Sequence, residues 1–150
     1  MFLAYRLPRE PSTPRITLWR KLRRLGAAQL LDGLVVLPLD SRTREQLEWL
    51  ADEVVEARGE ATIWIAESAS AAQERALASR MAEAVAREYE ALIAEAGEEL
   101  GESAAERRRR LRRLRRELQA IRRRDYFPPP EREAARTAIE DLAREEALTS

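Results

Sequence analysis

The 150 residues are 45% hydrophobic and 36% charged, which supplies a core for one domain with an appendage or for two small domains. The 27 lysine and arginine side chains balance 27 aspartates and glutamates, so the formal net charge is zero. Cysteine and histidine are both absent. That excludes disulfides, thiol nucleophiles, imidazole bases, ordinary structural zinc, and iron–sulfur or haem ligation through those residues.

The zero hides a segregated pattern. Residues 1–40 hold seven basic and three acidic groups (+4), residues 41–102 six and fifteen (−9), and residues 103–150 fourteen and nine (+5). Such a chain attracts a polyanion in one region and repels it in another. Of the 27 basic residues 26 are arginine, and Lys21 is the single lysine. No apolar run approaches the ~18 residues a membrane span needs. Met1–Leu7 lacks the basic start and apolar centre of a secretory signal. A soluble, cytoplasmic protein without a membrane partner is expected.

In chain order, Met1–Leu7 is β-prone and ends at Pro8, which predicts a first strand. Thr13 followed by Pro14 reads as an N-cap with proline at the first helical position. Behind it Leu18, Trp19, Leu22 and Leu25 recur at helical spacing up to a stop at Gly26. Ala28–Leu31, Asp32-Gly33 and Leu34–Leu39 read as strand, two-residue turn and strand, with Pro38 placing the second at an edge or ending it. A second helix is expected from Ser41, as cap, to Arg58, with Leu47, Leu50, Val54 and Val55 on one side and Gly59 closing it. Ala61–Ala66 supplies a last strand. The order β-α-β-β-α-β predicts an α+β fold, a ferredoxin-like unit over residues 1–68 with two helices on one face of a four-stranded antiparallel sheet.

Residues 69–150 read as a helical region of three helices. The first, about Ser70–Ala96, aligns Leu77, Met81, Val85, Tyr89, Leu92 and Ala96. The second, about Ala104–Arg124, carries Leu111, Leu114, Leu118 and Ile121, a rhythm suited to an antiparallel partner. Asp125–Pro130 interrupts it with three prolines. A third helix from about Glu131 to Glu146 offers Ala135, Ile139, Leu142 and Ala143.

Two basic clusters stand out. Residues 107–124 hold eleven arginines against the single acid Glu117. Like charges this close repel by a few tenths of a kcal/mol per pair unless acids or phosphates face them. The acidic residues of the preceding helix, or a nucleic-acid backbone, would each answer that charge. Arg15, Arg20, Lys21, Arg23 and Arg24 form the second cluster, either a solvated helix face or a phosphate-contacting surface continuous with the first. Arg107, Arg108, Arg109, Arg112, Arg113 and Arg116 are the candidate nucleic-acid contacts of the long helix. Phosphate contacts of this kind give affinity without sequence specificity.

Trp19, Trp49 and Trp64 are expected to fill the α/β core. Tyr126 and Phe127 before Pro128–Pro130 read as a plug between helices at a chain-redirecting elbow, with a small-oxyanion site at nearby Arg122–Arg124 as the alternative. No Gly-rich phosphate loop, serine elbow or metal-spaced acidic pair is present, so no enzyme, metal or cofactor is expected. A metal nuclease on this fold would want an aspartate at the end of the first strand, where Tyr5, Arg6 and Leu7 stand.

Leu7-Pro8, Pro11, Arg15, Trp19-Arg20 with Leu22 and Leu25-Gly26-Ala27, Val36-Leu37-Pro38, Glu48-Trp49-Leu50 and Gly59-Glu60-Ala61 together carry a resemblance. The chain from Leu3 to Glu67 is similar to the N-terminal region of the chromate resistance regulator family, the ChrB proteins. Asp125-Tyr126-Phe127 resembles the Asp-aromatic-Phe turn after the arginine-rich helix of that family. The resemblance implies transcription regulation of a chromate efflux operon, promoter DNA as partner and chromate as an effector; a homodimer is expected by analogy, because open ferredoxin-like sheets pair across a two-fold and DNA regulators commonly dimerise. Full-length members continue into a second domain that these 150 residues do not contain, which leaves effector sensing open. The early α/β unit also resembles the CRISPR-associated Cas2 proteins and the phenylacetate repressor family, but lacks the acid that nuclease chemistry needs. The alternative to the regulator is a structural or protein-interaction domain whose arginine helix is neutralised internally.

Overall fold

The computed structural model describes residues 1–149, which form two compact units, one of residues 1–74 and one beginning at residue 75. In the first unit the elements run β1 (Phe2–Arg6), α1 (Thr13–Leu25), β2 (Ala28–Leu31), β3 (Leu34–Val36), α2 (Ser41–Glu56) and β4 (Glu60–Trp64). The sheet order is β2-β3-β1-β4, with every neighbouring pair antiparallel. The unit is therefore α+β in the element order the sequence predicts. Each β-α-β passage is split by an intervening antiparallel strand. Pro38 lies beyond β3, which is an interior strand, so the proline ends it rather than marking an edge.

Strand periodicity sorts the side chains. Leu3 faces Val35 on one side and Ile63 on the other, and Leu3 and Val35 are buried. Leu18 and Leu22 of α1 and Leu47, Leu50 and Val54 of α2 complete the core. The β2–β3 turn needs Gly33: its φ is +76°, and an added Cβ would stand 2.3 Å from the Tyr5 carbonyl oxygen. Gly26 ends α1 with φ 77°, as its position in the sequence predicts.

The tryptophans do not fill this core. Trp19, Trp49 and Trp64 are 49%, 59% and 61% exposed. Periodicity explains the correction. Trp19 follows buried Leu18 by one residue, and Trp49 falls between buried Leu47 and Leu50, each turned off the core stripe by about 100°. Trp64 pairs with Phe2 on the sheet face opposite Leu3 and Ile63. Val55, also expected inside, is turned outward beside buried Val54.

Asp40, rather than Ser41, caps α2. Its carboxylate accepts from the Thr43 backbone N–H at 2.8 Å, while the Asp40 N–H donates to Thr43 Oγ1 at 3.1 Å. The bond from Thr43 holds the Asp40 carboxyl below its ordinary range. The folded pKa is thus lower than the unfolded one. The capping contribution is complete above the unfolded value, near pH 4, and is lost as pH falls through the depressed folded value. Asp40→Ala is expected to cost about 1 kcal/mol at neutral pH. Paired thermal melts should show the gap from wild type closing below pH 4.

The second unit is built on α3 (Ala71–Ala96), which begins in the first unit, α4 (Ala104–Arg123) and α5 (Glu131–Thr149). Val85, Tyr89, Leu92 and Ala96 of α3 meet Leu111, Leu114, Leu118 and Ile121 of α4 and Ala135, Ile139 and Leu142 of α5 in one cluster. These are the stripes the spacing predicts. Ser103 and Glu106 close the start of α4 with a capping box.

The elbow after α4 is held differently from expectation. Phe127 is 39% exposed and Tyr126 is half-buried, whereas the Asp125 side chain has no exposure. Asp125 Oδ2 accepts the hydroxyl of fully buried Tyr89 at 2.8 Å and lies 3.7 Å from Arg132. Burial, then this bond, pushes the Tyr89 phenol well above its usual pKa. A polar anchor, not an aromatic plug, fixes the turn.

Candidate nucleic-acid interface

Helix phase divides the arginines of α4 into three groups. The first lies inward. Arg110 is only 8% exposed because its position follows the buried stripe, and a guanidinium there needs several acceptors. It finds Glu102 at 3.1 Å, the Glu95 carbonyl at 2.7 Å and the Glu98 carbonyl at 3.3 Å. Arg110 thus closes the carbonyl end of α3, where a cation is favoured. The α3–α4 connection folds back far enough to bring these groups together.

The second group lies on the flanks. Arg113 pairs with Glu95 of α3 and, at 3.1 Å, with Glu117 one turn along α4. Arg124 pairs with Glu88 and donates to the Ala120 carbonyl at 3.0 Å, which engages it within the fold. Arg108 reaches Glu146 of α5 at 3.3 Å. Arg107 is half-buried near the α3 C-terminus and Arg110. Acids therefore answer part of the arginine run from within the unit.

The third group faces outward. Arg109, Arg112, Arg115 and Arg116 are exposed and make no ion pair among the described residues. At 100° per residue Arg109, Arg112 and Arg116 share one stripe opposite Leu111, Leu114 and Leu118, and Arg115 lies on the flank between that stripe and Leu111. Arg109 and Arg116 are separated by about 10 Å along the axis, a length over which a duplex presents about six phosphates. Arg109, Arg112 and Arg116 also line a shallow groove with Arg113, Glu95 and Glu102.

The first unit carries its own basic surface on α1. Arg15, Arg20, Arg23 and Arg24 are exposed. The Arg23 guanidinium sits 4.9 Å from the Trp19 ring centroid, which orients both side chains at the surface. Lys21 differs from its neighbours: its ammonium lies 2.7 Å from each oxygen of Glu53, so α2 already matches its charge. Arg6 pairs with Glu60 across β1 and β4 at 2.7 Å. The sequence signal that separates engaged from outward basic residues is helical phase, whereas the identity of each acidic partner required the fold.

Among the described residues no group of acidic side chains is arranged to hold a metal, and no helix is long and apolar enough to cross a membrane.

An α+β unit with a basic first helix, followed by a helical unit with an arginine-faced central helix, defines a class of small basic-surfaced modules. The chain belongs to the family described as Protein ChrB, N-terminal, which it matches over residues 15–148. It is 34% identical over 132 residues to Protein ChrB of Cupriavidus metallidurans, an alignment covering 85% of this chain and 40% of that protein. The chain thus matches less than half the length of that curated relative. No solved structure matches it.

Proposed function

We propose that this chain is the DNA-binding module of a chromate-responsive transcriptional regulator of a chromate resistance operon, and that it binds rather than catalyses. The observation that carries the reading is the outward stripe Arg109, Arg112 and Arg116, with exposed Arg115 on its flank. The fold spends its acids on the inner and flanking arginines and leaves this row facing solvent. A row of guanidiniums that outnumbers the acids near it repels itself, and a phosphate backbone relieves that repulsion while releasing counterions. Arg15, Arg20, Arg23 and Arg24 supply a second set of phosphate contacts on the other unit. Family membership supports the regulatory setting, with chromate as effector and a homodimer as the acting species.

Lys21, Arg108 and Arg113 have partners within the fold, so the alternative of internal neutralisation holds for them. Arg109, Arg112 and Arg116 make no such ion pair among the described residues, which favours an external partner for them.

The test is fluorescence anisotropy at two salt concentrations with a duplex from the promoter of the protein's own operon and a scrambled duplex of equal length. Binding at least ~10³-fold tighter to the promoter supports a regulator. Equal, weak binding to both that disappears with salt leaves only a basic surface. Absence of binding at either salt refutes the reading.

A further inference from the structure

The first unit contains a cleft that shares Arg15 with the basic face of α1 but is otherwise lined by residues the duplex reading does not use. It opens beside the end of β1, between α1 and the β2–β3 turn, with a volume of about 730 Å³. Such a volume lies within the range of small-molecule sites. Its walls are chemically unlike. Arg9 and Arg15 come from the α1 side, and neither makes an ion pair among the described residues. Gln29 and Asp32 come from the hairpin side, where the Gln29 amide approaches Asp32 Oδ1 at 3.4 Å. Tyr5 and Trp19 contribute rings to the lining.

The floor is fixed. The Tyr5 N–H donates to the Gly33 carbonyl at 2.8 Å, and Gly33 admits no side chain against Tyr5. Burial raises the Tyr5 phenol, with Arg15 and Asp32 acting on it in opposite directions, and all three residues line the cleft.

A simple oxyanion would use only the arginine wall and would be repelled by Asp32. A purely aromatic ligand would leave both arginines without a partner. The lining asks for a molecule with an anionic group at one end, a planar ring, and hydrogen-bond donors at the other. We propose that this cleft binds a nucleoside monophosphate, with its phosphate on Arg9 and Arg15, its base against Tyr5 and Trp19, and its donor groups toward Asp32 and Gln29. That chemistry comes either from a free nucleotide or from an unstacked nucleotide of a single strand. The proposal stands apart from duplex binding by α4.

Isothermal titration of the whole 150-residue chain distinguishes these sources. The probes are adenosine monophosphate, ribose 5-phosphate, inorganic phosphate and a short 5′-phosphorylated single strand. One-to-one binding of adenosine monophosphate, with weaker binding of ribose 5-phosphate and phosphate, supports the free-nucleotide source. Binding of the single strand alone supports the strand source. In either case Arg15→Gln weakens binding about tenfold or more, while Arg144→Gln on α5 leaves it unchanged. Asp32→Asn is expected to narrow the preference for adenosine monophosphate over ribose 5-phosphate, a readout independent of Arg15. The proposal is overturned by absence of binding for both nucleotide probes, by equal affinity for inorganic phosphate, or by an Arg15→Gln protein that binds as wild type.

Discussion

Replacing Arg109, Arg112 and Arg116 together by glutamine is expected to weaken binding to every duplex by roughly 100-fold at physiological salt. The same change should flatten the plot of log affinity against log salt by about 2.7, since each neutralised phosphate contributes about 0.9 to the slope. The three side chains are exposed on one stripe of α4 and make no ion pair among the described residues, so their loss removes only the long-range attraction of Arg109 to Glu106. Stability should therefore stay within about 0.5 kcal/mol of wild type or rise slightly as repulsion is relieved. Promoter and scrambled duplexes should lose affinity by the same factor, because phosphate contacts carry no sequence information. A triple variant with the wild-type salt slope would remove α4 from the interface.

Arg110→Ala should behave in the opposite way. Although it belongs to the same arginine run, its guanidinium is 8% exposed and serves Glu102 and two α3 carbonyls. Truncation leaves a carboxylate and two carbonyls without their donor, and breaking a buried pair from one side typically costs about 3 kcal/mol or more. For a unit of this size the melting temperature is expected to fall by more than about 10 °C. At a temperature where the variant is still folded, its salt slope for duplex binding should match wild type. An Arg110→Ala protein as stable as wild type would show that α3 and α4 do not need this clamp. Measured together, the two variants separate internal from external use of one charge run.

Much of the architecture is legible in residue spacing. The recurrence of Met81, Val85, Tyr89, Leu92 and Ala96 identified the buried stripe of α3, and Leu111, Leu114, Leu118 and Ile121 that of α4. Asp32-Gly33 marked the β2–β3 turn, because only a residue free of Cβ fits against Tyr5 at that φ. These features are local or periodic, and local sterics and solvent exclusion act on them in any tertiary setting. The tryptophans misled because size and hydrophobicity favour burial, while a one-residue step off the stripe decides otherwise. At the elbow, the aromatic pair drew attention from Asp125, whose partner Tyr89 lies 36 residues away.

The α+β order, the three apolar helical stripes and the arginine-dense helix follow from residue pattern alone. The pattern leaves open whether that helix faces acids or phosphates. The tertiary structure divides the run by face: Arg110 and Arg113 meet acceptors at the end of α3, and Arg109, Arg112, Arg115 and Arg116 turn outward. The physical reason is that a helix sets the angle of each side chain from its own residues. The counter-charge met at that angle belongs to another segment, and only the fold of α3 against α4 brings it there.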